Sequence, residues 1–152
     1  MSRDTVRTRR ASVADLDALV PLFDGYRCFY RQPSDPALAR DFLEARLARG
    51  ESIVFLAETG GEAIGFAQLF PSFSSTFAQR IYILNDLFVD PDVRRQGVGR
   101  ALLDAAAAFA RSEGAVRLKL STAIDNHVAQ AGYAKAGYQR DDAFYVYTLS
   151  LD

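Results

Sequence analysis

The run from Leu84 to Leu103 constrains this chain more than any other part of it. Leu84-Asn85-Asp86-Leu87-Phe88-Val89 has the residue types of a buried strand, and Pro91 sets a turn behind it. A loop containing Arg94, Arg95, Gln96, Gly97 and Gly99 then runs straight into an amphipathic helix. A helix that begins near Gly97 has N–H groups without intrahelical partners and the positive end of its dipole at that loop, so the run reads as an anion cradle. Glycine suits the position because a Cβ would hold an anion away from the backbone. Arg94, Arg95 and Arg100 add charge on the same side, in a planar fork that matches phosphate. A dinucleotide fingerprint would need a third glycine where Leu102 stands, and a phosphate loop would need Gly-Lys-Ser/Thr, so both nucleotide readings are disfavoured.

The remaining segments surround that run in a definite order. Thr5 to Arg10 has the length of a first strand, and Ser12 with Asp15 forms a capping-box pair ahead of Val13, Leu16, Leu19, Val20 and Phe23 at helical spacing. Pro21 is expected to kink or end that helix. The aromatic-rich stretch from Tyr26 to Pro33 follows, and then Asp35-Pro36 opens a second helix with Leu38, Phe42, Leu43 and Leu47 on its buried face, stopped at Gly50. Ser52 to Glu58 and Ala63 to Phe70 form a hairpin about Gly60-Gly61, with Pro71 to Phe77 as a loop before a long strand from Arg80 to Val89. After the helix from Gly97 to Ser112 come a strand over Val116 to Ser121, a helix over Asn126 to Ala136, and a last strand over Ala143 to Leu151.

At 152 residues, 49% of them apolar, the chain is expected to be one domain, residues 1–152, with a real core. Its net charge of -1 argues against nucleic acid or an anionic membrane as partner and makes the basic loop a local feature. The single Cys28 allows no internal disulfide and no cysteine-rich zinc site, and no metal site is expected. No signal peptide or membrane span is visible, which leads to the expectation of a cytoplasmic protein.

Two patterns together resemble one family. Leu87-Phe88-Val89-x-Pro91 followed by Arg94-x-x-Gly97-x-Gly99 looks like motif A of the GNAT acyltransferases, and Asn126-x-x-Ala129-x-x-x-Tyr133 followed by Gly137-Tyr138 looks like their motif B. The order of elements is the GNAT order, and the central strand is most similar to the branch holding the yeast histone/D-amino-acid and the diamine acetyltransferases. The resemblance implies a mixed α+β fold, a mostly antiparallel twisted sheet of six to seven strands flanked by four helices. It implies N-acetyl transfer from acetyl-CoA to a primary amine of a small molecule or peptide, by direct attack in a ternary complex. A non-catalytic acyl-CoA sensor on the same fold is the alternative. A homodimer is expected by analogy.

The same resemblance assigns the cofactor to Leu87, Phe88, Val89, Arg94, Arg95, Gln96, Gly97, Val98, Gly99, Arg100 and Asn126. Tyr133 becomes the acid that protonates the leaving thiolate, and a backbone N–H freed by a bulge near Phe88 or Val89 meets the oxyanion. Asn126 and Tyr133 stand two helical turns apart and share a face. Asn85 occupies a position that is Glu in the diamine enzymes and cannot be a base. Asp86 stands open between two roles, an amine-binding or water-mediated base and a structural hydrogen-bond acceptor. His127 reads as an exposed helix residue. Tyr26, Phe29, Tyr30, Phe73 and Asn85 are the candidates for the acceptor site.

Overall fold

The computed structural model describes residues 5–93 and 97–151. The strands are β1 (Arg7–Arg10), β2 (Ile53–Thr59), β3 (Glu62–Ser74), β4 (Gln79–Val89) and β5 (Leu118–Lys119). The helices are α1 (Leu16–Phe29), α2 (Pro36–Ala48), α3 (Val98–Ser112) and α4 (His127–Lys135). The strands form one sheet in the order β1-β2-β3-β4-β5, antiparallel from β1 to β4, with β5 parallel to β4. This is the expected mixed α+β class, with five strands among the described residues in place of six or seven. The strand expected over residues 116–121 is confined to Leu118–Lys119, and among the described residues no strand is assigned over 143–151, where a last one was expected. The chain divides into two compact units, Met1–Ser121 and Thr122–Asp152.

The helix boundaries follow local chemistry. The Ser12 hydroxyl accepts from the Ala14 N–H and the Asp15 carboxylate accepts from the Ser12 N–H, which closes a capping box over a 3-10 turn, Val13–Asp15, leading into α1. Pro21 does not end α1, which continues to Phe29. The bond it removes lies in the second turn, and the burial of Leu16, Leu19, Val20, Leu22 and Phe23 holds the helix through it. Asp35 caps α2 by accepting from the Leu38 N–H at 3.1 Å, with Pro36 as the first helical residue. Only Ala39 and Leu43 of α2 are buried; Leu38 and Phe42, expected in the core, remain 49% and 38% exposed.

The strands carry two irregularities that matter later. Pro71 lies inside β3 rather than in a loop. It sits opposite Tyr82, whose N–H turns away to the Arg117 carbonyl at 3.1 Å, and β2 has already ended at the pair Ile53 with Leu69. No ladder bond is asked of the proline there. In β4 the register slips: Gln68 pairs with Asp86 and Leu69 with Leu84, which leaves Asn85 as an extra residue. The bulge therefore lies at Asn85, before the expected position at Phe88 or Val89. Its effect is on orientation. Tyr82 packs on Phe109 of α3 at 5.2 Å between ring centroids, whereas Phe88 meets Tyr26 of α1 at 6.4 Å on the other face. Two residues an even number apart should share a face; the bulge reverses the phase and turns Asp86 and Phe88 toward α1.

Candidate active site

On the α1–α2 side of the sheet lies a cavity of about 370 Å³, lined by Phe23, Tyr26, Arg27, Leu38, Phe42, Gln68, Phe70, Asn85 and Asp86. Its walls are built by local packing. Phe23 stacks on Phe42 with centroids 5.6 Å apart, which joins α1 to α2, and Tyr26 stands edge-on to Phe66 and Phe88 of the sheet. The exposed flanks of Leu38 and Phe42 are thus explained: they wall the cavity instead of filling the core. The Tyr26 hydroxyl donates to the Asn85 backbone carbonyl at 3.1 Å, tying α1 to the bulge.

Asp86 lies in that lining and is only 2% exposed. Its carboxylate accepts from Gln68 Nε2 at 2.5 Å and from Asn85 Nδ2 at 2.7 Å. Burial pushes its pKa above the ordinary carboxylate range, and the hydrogen bonds from Asn85, Gln68 and Tyr26 offset that only in part. A carboxylate shifted this way, in a cavity, is suited to accept a proton nearer neutrality than a surface acid. Adjacent strand residues ordinarily face apart, yet the bulge lets Asn85 and Asp86 line one cavity and bond to each other.

The helix start expected to cradle an anion belongs to the same compact unit. Gly97 caps α3 with φ +90, a left-handed conformation that disfavours any side chain, and no described residue lies within 4 Å of where its Cβ would be. The first intrahelical bond runs from the Ala101 N–H to the Gly97 carbonyl, so the N–H groups of Val98 and Gly99 fall in the turn that has no intrahelical acceptors. Nε of Arg100 donates to Asp104 at 2.9 Å, one turn along the helix. Arg94, Arg95 and Gln96 lie outside the described residues.

Between cradle and cavity runs the outer edge of β4. β5 pairs only with Tyr82 and Ile83, so from Leu84 onward that edge has no strand partner among the described residues. The Asp90 N–H bonds to the Ile64 carbonyl at 2.8 Å, which assigns the even-numbered groups after the bulge to β3. By alternation Leu87 and Val89 aim their N–H and C=O groups at the open edge, while Phe88, named with Val89 as an oxyanion donor, points its own to β3.

In the second unit, Asn126 caps α4 by accepting from the Ala129 N–H at 3.3 Å. Tyr133 is half-buried against Tyr138, their ring centroids 6.0 Å apart, and His127 is exposed at the first turn.

Of the acceptor-site candidates, Tyr26 and Asn85 line the cavity. Phe29 and Tyr30 are 64% and 46% exposed at the end of α1, and Phe73, 69% exposed, lies under the Arg80 guanidinium at 4.4 Å; the cavity lining includes none of the three. Sequence reasoning missed Phe23, Arg27, Leu38, Phe42, Gln68 and Phe70. Phe23 and Arg27 each lie three residues from a position already suspected, Tyr26 and Tyr30 respectively, so helical spacing carried a signal for them. Gln68 had none, because only the register places it opposite Asp86.

The sequence was compared with known proteins. The model of the acetyltransferase (GNAT) family matches residues 19–138. An uncharacterised N-acetyltransferase of Bacillus subtilis, YhfO, is 48% identical over 143 residues, covering 94% of this chain and 96% of its own. The D-amino-acid N-acetyltransferase of Saccharomyces cerevisiae is 28% identical over 149 residues, 95% of this chain and 92% of its own. A crystal structure of a probable acetyltransferase superposes with a TM-score of 0.90 at 45% identity, covering 96% of this chain and 98% of that one. With a family match across most of the chain and near-full-length relatives sharing almost half its residues, the chain belongs to the GNAT family of acetyltransferases and is an acyltransferase.

Proposed function

We propose that the protein transfers the acetyl group of acetyl-CoA to a primary amine held in the α1–α2 cavity, by direct attack in a ternary complex. The observation that carries this reading is the juxtaposition in one unit of a glycine-capped helix start, a strand edge with no strand partner among the described residues, and a cavity containing a buried carboxylate. The Gly97 backbone fits a phosphate-bearing co-substrate, because at its φ of +90 no described residue stands within 4 Å of its Cβ position, where a side chain would meet the anion. The yeast relative is named for D-amino acids, which supports a small-molecule amine as acceptor.

The chemistry distributes over named groups. An amine with a pKa of about 10.4 is almost entirely protonated at neutral pH, so a proton must leave before attack. Asp86 takes it, directly or through water, at a carboxylate that Gln68 and Asn85 hold in place. The outward N–H groups of Leu87 and Val89 orient the thioester arm and meet the developing oxyanion. Tyr133 delivers a proton to the departing sulfur. Cys28 is exposed on α1 and lies outside the cavity lining, so no acyl-enzyme is invoked.

The test is calorimetric titration with acetyl-CoA, followed by amine-dependent thiol release in wild type and Tyr133→Phe. Turnover of the variant is expected to fall about tenfold or more, with acetyl-CoA affinity nearly unchanged. Unchanged turnover removes Tyr133 from the mechanism, and binding without any amine-dependent release makes the domain a sensor.

A further inference from the structure

We infer that the acceptor carries an anionic group as well as its amine, an amino-carboxylate with an apolar side chain, and that Arg27 of α1 is the residue that selects it. This rests on the α1–α2 cavity being the acceptor site. The cavity presents two charge-bearing groups of opposite kind, Asp86 from β4 and Arg27 from α1, between the apolar walls of Phe23, Leu38, Phe42 and Phe70. Asp86 is occupied by Gln68 and Asn85 as described. Arg27 is different: its Nη1 is buried and has no hydrogen-bond partner among the described residues.

A buried guanidinium donor without an acceptor is uncommon and calls for one. The acid nearest in sequence, Asp24, feels the charge of Arg27 but does not bond to it. Its oxygens accept instead from the Ser34 hydroxyl at 2.6 Å and the Asp35 N–H at 2.8 Å, fastening the start of α2. What Arg27 lacks is therefore an acceptor that arrives from solution, and a planar carboxylate matches its fork. The ammonium of the same molecule has Asp86 as its partner, and the apolar walls take the side chain between them. About 370 Å³ accommodates a molecule of amino-acid size. A polycationic amine, by contrast, would bring positive charge to Arg27 with no anion to offset it.

The experiment compares kcat/KM, at saturating acetyl-CoA, for D- and L-phenylalanine, phenylalanine methyl ester, phenethylamine and spermidine, in wild type, Arg27→Gln and Arg27→Lys. At least one phenylalanine enantiomer is expected to exceed the ester and phenethylamine by about tenfold or more, as loss of a charge-assisted pair requires. Arg27→Gln should bring the kcat/KM ratio of phenylalanine to phenethylamine down to about one, and Arg27→Lys should restore part of that ratio. Acetylation of phenethylamine or spermidine as efficient as that of phenylalanine overturns the inference and leaves the acetyl-transfer reading intact. So does an Arg27→Gln loss that falls equally on charged and uncharged acceptors. If acetyl-CoA binds and none of the five amines is acetylated, both readings fall.

Discussion

Asp86 shows how a single side chain acquires its chemistry from position. A carboxylate in the middle of a sheet would ordinarily be neutralised or paired with a cation, and here it has amide donors on both sides and a cavity in front. Because burial raises its pKa, the folded protein binds a proton that the unfolded chain has already released between the ordinary carboxylate value, about 3.9, and the raised one. In that window the folded state holds more protons, so stability falls as pH rises through it. Asp86→Asn should remove that part of the pH dependence of urea unfolding, and the wild type should lose stability relative to the variant on going up in pH. In activity the same shift works in the opposite sense: the wild-type rate should rise as Asp86 ionises, and the variant should lack that limb. A variant whose unfolding profile keeps the wild-type slope would show that Asp86 does not titrate in this window.

At the scale of elements, β4 is the piece that organises the site, and its bulge does more than its length. Without the extra residue at Asn85, Asp86 would face α3 and the cavity would hold no acid. The same strand is pressed against its neighbour at Gly65, where a Cβ would come within 2.8 Å of the Phe88 carbonyl oxygen. That oxygen is backbone and cannot swing aside. Gly65→Ala should therefore cost about 1–3 kcal/mol in denaturant unfolding, since added volume at a tight contact forces the strands apart. Because the displaced backbone flanks the outward groups of Leu87 and Val89, acetyl-CoA affinity should weaken together with stability. A variant as stable as wild type would show that β3 and β4 have slack at this point.

The whole molecule is expected to report the cradle through its stability. A ligand bound only by the folded state adds stability in proportion to its saturation, about 2.7 kcal/mol at a hundred times its dissociation constant. Acetyl-CoA should raise the melting temperature in this way, while NAD and ATP should not. Gly97→Asp will lower the basal melting temperature, because a side chain at φ +90 is strained. The decisive quantity is the increment with ligand, which should vanish once a carboxylate stands in the cradle. A retained increment would move the anion site elsewhere. The helices show how much of such a molecule local sequence can specify: Ser12 with Asp15, and Asp35 with Pro36, cap where their side-chain chemistry places them. Pro21 and Pro71 show the limit, since each sits inside an element whose tertiary neighbours make its missing donor tolerable.

By itself the sequence determined the order of elements as far as α4, the glycine-capped start of α3 and the presence of an acid in the central strand, while its resemblance to the GNAT motifs implied the class of fold. The order, the cap and the acid rest on interactions within a few residues: periodicity, caps, and the conformational freedom of Gly97. Only the tertiary structure decided which way Asp86 faces, which aromatics form the cavity, and that Gln68 and Arg27 belong to it. Those depend on a one-residue slip in the β3–β4 register and on how α1 and α2 pack across the sheet. A slip of one residue reverses every later side chain in a strand, and nothing in the local pattern of Leu84 to Val89 announces it.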